Sequence, residues 1–387
     1  MNNRWGILAV LFVVRATMAF QFQSVAAVAP LLGTTFGVSI ADIGVLIGLY
    51  FAPGIILALP GGAIGQKFGD KQTVLGALLL MLSGSLAMGL AASWDAQVVG
   101  RLVAGAGAVI LSVQLTKMLT DWFAGREIAT AMAILVNSWP AGIAVSLMIL
   151  PLIGTRWGVD AVHFAVAAFI GCGIALIALF YRRPADVAAA SITAARLDRQ
   201  TVLAVITAGM IWGLFNIAFA IIFSFGPSML VERGWSIAAA GSAISIVLWA
   251  AVFSVPFGGF LADRTNRPQT ILVIAAVVFA MLMILLPRTS AVVLAVSALG
   301  LISGQPAGPI MSLPARVLQP ATRAIGMGLF LTMFYVAMML GPVIGGSLAK
   351  WTGSTATAFD FGAAVLLACP LLLWVFNRIA AARTHTA

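Results

Sequence analysis

The sequence predicts an all-α membrane protein of twelve transmembrane helices, arranged as two parallel-running repeats of six. Three observations predict it. Hydrophobic residues make up 62% of the 387 and charged residues only 8%, with a mean hydropathy of +1.11, whereas about a quarter of the residues in a soluble domain are charged. The apolar residues fall into twelve runs of about 20 residues; at about 1.5 Å of rise per residue, each run can cross a hydrocarbon core of about 30 Å as a helix. A shift of 197 residues superposes Gly62 on Gly259, Ile64 on Leu261, Lys67 on Arg264, Pro30 on Pro227 and Arg126 on Arg323, so one offset holds from the first run of each half to the fifth.

The first run extends over about 5–30. It passes Arg15 and reaches Pro30 without a small-residue cleavage site, so no cleaved signal peptide is expected. Runs two to six cover about 41–60, 73–92, 97–120, 128–153 and 159–181. Residues 182–200 then carry six charges in nineteen positions and a small-residue tract, which reads as a linker between an N-terminal bundle, 1–181, and a C-terminal bundle, 201–387. The second half repeats the pattern at about 201–230, 238–262, 269–287, 291–315, 323–349 and 356–377. Small residues, among them 39 glycines, let helices approach where lipid supplies no hydrophobic drive for association.

The net charge of +10 is an orientation signal and not a nucleic-acid footprint. With the N-terminus cytoplasmic, fourteen basic residues fall on the cytoplasmic side, and only Arg156, Arg233, Arg288 and Lys350 on the other, so both termini are expected in the cytoplasm. Trp5, Trp94, Trp122, Trp157, Trp235 and Trp351 sit near run ends, as in an interfacial belt, whereas Trp139, Trp212 and Trp249 lie inside runs and read either as packing or as a cavity wall. Cys172 and Cys369, far apart inside apolar runs, read as small core hydrophobes.

Between runs two and three stands the Gly-rich basic stretch GGAIGQKFGDK (Gly61 to Lys71), and its relative GGFLADRTNR (Gly258 to Arg267) stands between runs eight and nine. These loops resemble the G-x-L-x-D-R-x-G-R/K signature of the major facilitator superfamily. Arg101-Leu-Val-Ala-Gly105-Ala-Gly107 is similar to that superfamily's R-x-x-x-G-x-G, and Gly341-Pro342-Val-Ile-Gly345-Gly346 to its glycine-proline pattern. The resemblance covers nearly the whole chain and implies the major facilitator fold. It assigns Gly62, Gln66, Lys67, Gly69, Arg101, Gly259, Asp263 and Arg264 to the motif that couples conformational change. The acidic position of the first loop is Gln66, while Asp263 keeps the acid in the second.

A charged side chain at the bilayer centre costs about 2.5 to 3.5 kcal/mol on insertion scales, so each one in a run asks for a role. Arg15 lies about ten residues into the first run, hence about 15 Å deep, and is the strongest site signal; its alternative is a structural pair to a neighbouring helix. At 100° per residue, Gln23 is placed to share a cavity wall with Arg15, while Gln21 faces another helix. Arg101 reads equally as structural or functional. Lys117, four residues before Asp121, reads as a snorkelling lysine paired at the interface or as a cavity cation, with Gln114 one turn earlier on the same face. No acidic residue lies near the middle of a run.

In the resembled fold, runs 1, 4, 7 and 10 line the central cavity. That implies Arg15, Gln114, Lys117, Trp212, Asn216 and Gln305 as substrate-binding candidates, with Asn137, Trp139 and Tyr335 at the periphery. No zinc spacing, phosphate loop or catalytic triad is present, so no metal, cofactor or enzymatic activity is expected. An arginine without an internal acid suits an anionic substrate, because its fork donates two parallel hydrogen bonds to a planar anion. Within the superfamily, the segments around Arg15, LTKMLTDWFAGREIATAMAI and NSWPAGIA look most like the bacterial cyanate, nitrate and nitrite transporters. The expectation is a monomeric inner-membrane carrier of a small anion, with a proton or counter-anion as possible co-substrate and the lipid bilayer as surroundings. The alternative is an exporter of apolar drugs or metabolites.

Overall fold

The computed structural model describes residues 4–57, 67–123, 127–182, 197–319 and 322–384. Among these it is helical throughout. The first half comprises α1 (Arg4–Ala27), α2 (Ala29–Phe36), α3 (Ile40–Leu49), α4 (Ala52–Leu57), α5 (Asp70–Gly89), α6 (Trp94–Phe123) and α7 (Ile128–Phe180). The second comprises α8 (Arg199–Glu232), α9 (Ile237–Thr265), α10 (Pro268–Leu285), α11 (Val292–Ser303), α12 (Ala307–Ser312), α13 (Arg323–Thr352) and α14 (Ala356–Thr384). Eleven stretches of the described residues are long and apolar enough to cross a membrane.

One of them counts twice. α7 has 53 residues, about 80 Å if straight, but Gly158 takes φ 85° and ψ 175° and reverses the chain. A side chain on Gly154 would stand 3.2 Å from Val162, a residue that a straight helix would hold about 12 Å away. The crossings therefore number twelve.

Three of the predicted runs are broken helices, each at a proline. The chain breaks at Val28 before Pro30, at Tyr50–Phe51 before Pro53, and at Gly304–Pro306. Proline cannot continue the i→i−4 ladder, and around Tyr50 the bonds tighten to three-residue turns: Tyr50 N–H donates to Ile47 O and Phe51 N–H to Gly48 O. The carbonyl of Leu46 thereby loses its helical donor.

Contacts fix which end of the bundle is which. At the end holding both termini, Arg4 pairs with Glu127 at 2.7 Å and Lys71 Nζ donates to Ala178 O at 2.7 Å. At the opposite end, Arg288 pairs with Asp360 at 2.8 Å, Arg233 donates to Leu286 O at 3.2 Å, and Thr355 donates its hydroxyl hydrogen to Glu232.

The two sets of six crossings meet at and above the middle, toward the end away from the termini. α3 lies along α13, where a Cβ on Gly44 would stand 3.2 Å from the Cα of Gly346 and one on Gly48 3.3 Å from Val343. Only glycine permits that approach. α9 lies along α7, with Gly241 against Pro151, and Gln23 of α1 donates to Phe223 O of α8 at 2.6 Å. The space left between the halves below this seam holds the cavity described next.

Candidate functional site

Two arginines, Arg15 and Arg101, sit deep inside apolar helices of the first half, and their surroundings differ at every point. Arg101 is fully buried. Its Nε donates to Leu46 O at 3.0 Å, the carbonyl released by the break at Tyr50, and its two terminal nitrogens donate to Gln21 O at 3.0 Å and Phe22 O at 2.7 Å. Its guanidinium also lies 4.5 Å from the Tyr50 ring centre and 5.6 Å from that of Phe22, within cation–π range. Arg101 thus ties α6 to α1 and α3.

The supporting layer around it is satisfied as well. Gln21 donates to Met81 O and Ser85 Oγ, both at 2.7 Å, and accepts from the Tyr50 hydroxyl at 3.1 Å. It faces α5, a neighbouring helix.

Arg15 is half-buried, and it forms no hydrogen bond or ion pair among the described residues; its Nε is buried without a partner. It opens onto a cavity of about 210 Å³ between the halves, and among the described residues it is the one charged group in the wall. Nine aromatic side chains share that wall: Tyr50, Phe51, Trp139, Trp212, Phe215, Phe219, Phe223, Phe334 and Tyr335. They are knit across the two halves, since Phe51 touches Trp139 on one side and Phe334 on the other, with ring centres 6.3 and 5.9 Å apart. On α8, Trp212, Phe215 and Phe219 form a ladder with successive centres 5.5 and 6.4 Å apart and planes tilted by 26° and 4°.

Polar groups in the wall are few. Asn137 donates to Val252 O at 3.3 Å, across the halves, and Asn216 to Trp212 O at 2.7 Å. The Tyr335 hydroxyl has no hydrogen-bond partner among the described residues and lies within electrostatic reach of Arg15. Phe223 lines the cavity beneath the Gln23 contact, with the Phe22 ring packed edge-on against it. Toward the end holding the termini the wall includes Val136, 45% exposed.

Of the residues singled out in the sequence, Arg15, Trp139, Trp212, Asn216 and Tyr335, together with Asn137, meet in this wall. The others do not. Gln23 is fully buried in the seam between α1 and α8, because the 80° offset from Arg15 turns it to the second half. Gln114 is fully buried outside the cavity wall. Lys117 pairs with Asp70 at 2.7 Å and Asp121 at 3.2 Å: it fastens α6 to the start of α5 at the end holding the termini, and is no part of the wall. Gln305 falls in the break between α11 and α12, donates to Leu301 O at 3.1 Å and lies where Gly258 packs on its backbone, so Ser303, Gly304 and Ala307 face the cavity instead. Trp249 is 40% exposed on the outside of the bundle.

Gly62 and Gln66 lie outside the described residues. Gly69, with φ 84°, precedes α5; Lys67 is exposed over the Phe68 ring at 5.5 Å and Arg264 over the Phe260 ring at 5.9 Å. Gly259 and the backbone of Asp263 belong to the last turns of α9. The cavity residues that hydropathy misses are Met18, Phe51, Phe215, Phe219 and Phe334. An apolar run gives no sign of which of its aromatics face inward: in α9, Phe253, Phe257 and Phe260 are all more than half exposed.

Twelve crossings closed around one central cavity define a polytopic membrane protein of the carrier class. The chain belongs to the Major Facilitator Superfamily, whose model matches residues 11–304 and 201–386. Among curated relatives, the Inner membrane transport protein YajR of Escherichia coli (strain K12) is 28% identical over 148 residues, which span 37% of this chain and 32% of that one. The Probable sulfoacetate transporter SauU of Cupriavidus necator is 25% identical over 401 residues, 94% of this chain and 92% of that one. The crystal structure of a D-xylose-proton symporter superposes with a TM-score of 0.79 at 14% identity, covering 96% and 97% of the two chains, which speaks to the fold alone.

Proposed function

We propose that the protein is a secondary transporter that carries a small anion by alternating access, with Arg15 as the anion-binding residue. The observation that carries this reading is the position of Arg15: a guanidinium without an acceptor among the described residues, facing the cavity between the halves. Such a group is costly in an apolar interior unless an anion meets it. Trp139, Trp212, Asn216 and Tyr335 complete the substrate site. The moving bodies are 1–181 and 201–387, joined by 182–200, and they close on the side away from the termini in this structure.

Charge placement supports a bacterial inner-membrane location with both termini cytoplasmic, in which case the cavity faces the cytoplasm. The sequence resemblance to cyanate, nitrate and nitrite transporters and the sulfoacetate transporter at 25% identity both favour an anion. Among the described residues no acid lies in the cavity wall, which favours a proton carried with the substrate or exchange for a second anion over a side-chain proton relay.

The test is uptake of labelled cyanate, nitrate, oxalate, formate and lactate into proteoliposomes, with and without anion inside, for wild type and Arg15→Gln. Saturable uptake that falls at least about tenfold in the variant is expected, from the loss of charge-assisted bonds of about 1.5 to 3 kcal/mol. A folded wild type that ignores every anion and moves neutral apolar compounds would establish the exporter reading, which the nine aromatic rings favour.

A further inference from the structure

The cavity combines two chemistries that a bare inorganic ion does not use together. On one side stands a single cation, Arg15, with the Tyr335 hydroxyl in electrostatic reach and without another hydrogen-bond partner among the described residues. In the same wall stands the α8 row of Trp212, Phe215 and Phe219, apolar rings whose successive planes are tilted by only 26° and 4°. Phe51 and Trp139 close the space from the first half. The two asparagines of the wall spend an amide hydrogen on backbone carbonyls of the protein, so few donors remain for a hydroxyl-rich solute.

A strongly hydrated ion such as formate gives up its water for one guanidinium and a wall of rings, and the rings return little. A molecule with an apolar body recovers that cost by packing against these rings, since ring pairs in offset or edge-on contact add to burial itself. A second negative charge would find no second cation among the described residues of the wall. We infer that the transported anion is a monovalent carboxylate with a flat apolar body, aromatic in the simplest case: Arg15 and Tyr335 take its carboxylate from the two halves, and Trp212, Phe215 and Phe219 take its body. This deepens the small-anion reading and rests on it. It also explains how binding bears on closure, because head contacts come from α1 and α13 and body contacts from α8, so the ligand bridges the two moving parts.

The experiment is binding to the purified full chain in detergent or nanodiscs, followed by tryptophan fluorescence and isothermal calorimetry. Four probes are compared: benzoate, formate, sulfoacetate and benzamide. Benzoate is expected to bind at least tenfold more tightly than each of the others. Arg15→Gln is expected to erase the preference for benzoate over benzamide, with Arg15→Met as a second charge-removing variant should the first fail to fold. Trp212→Ala is expected to weaken benzoate about five- to tenfold, several times more than it weakens formate. Formate bound as tightly as benzoate overturns the inference and leaves the small-anion reading standing. Sulfoacetate bound more tightly overturns the single charge, and benzamide matching benzoate overturns both readings, as does a folded protein that binds none of the four.

Discussion

Arg15 and Arg101 are the same side chain, each set in an apolar helix of the first half, and the fold treats them oppositely. Arg101 meets three carbonyls and two ring faces, and one of those carbonyls is available only because α3 ends at Tyr50. Arg15 meets none of these, and the helices around it stand apart to leave a cavity. A buried guanidinium is tolerable once its donors are filled. Arg101 is therefore part of the scaffold, whereas Arg15 leaves its donors for a ligand.

Three substitutions sharpen or break that contrast. Arg101→Met has the largest expected effect. It leaves three buried carbonyls without their donor, at about 1 kcal/mol or more each, so the folded yield and thermal midpoint should fall by the equivalent of about 3 kcal/mol. Thermal unfolding of the purified variant reads this, and a midpoint equal to wild type would show that the carbonyls are satisfied without the arginine.

Arg15→Gln comes next, with the reverse signature. The helix loses an uncompensated charge, so the midpoint should hold or rise while uptake falls at least about tenfold. A variant that both unfolds and fails to transport would erase the distinction between the two arginines.

Lys117→Ala is the smallest for transport. Its side chain is 34% exposed but that of Asp70 only 5%, so the variant leaves a buried carboxylate unpaired, at about 1 to 3 kcal/mol. A drop in midpoint is expected, largely recovered in a double variant with Asp70→Asn, at an unchanged KM. A raised KM would bring Lys117 back toward the substrate.

The seam and the cavity make a second contrast of the same kind. Where α3 meets α13, glycines bring backbones together; where the rings of Phe51 and Phe334 meet, bulk holds them apart. Small residues close one end of the bundle and large ones frame the space beside it, within helices of similar hydropathy.

Much of this was legible in the sequence. Hydropathy over 20-residue windows gives the crossings, because a bilayer demands that length of apolar helix. The 197-residue offset gives the repeat, and the rarity of charge inside the runs singles out Arg15, Arg101 and Lys117. Prolines 30, 53 and 306 stand at helix breaks, but Pro227, Pro256, Pro342 and Pro370 lie inside unbroken helices, so the breaks themselves were not legible. Asp121 was visible as a neighbour of Lys117 at one helical turn, but Asp70, 47 residues away, was not.

What the sequence determined by itself, then, is everything set by the solvent: how many helices, how long, with which residues too polar for lipid. The tertiary structure decided what each polar residue meets. Gln21 and Gln23 are two positions apart in one helix, yet one bonds α5 and the other α8. Periodicity fixes the angle between such side chains but not which helix stands at that angle. That choice comes from packing, from the glycines that let α3 and α13 touch and from the broken turn at Tyr50 that offers a carbonyl to Arg101, and it leaves Arg15 facing the cavity.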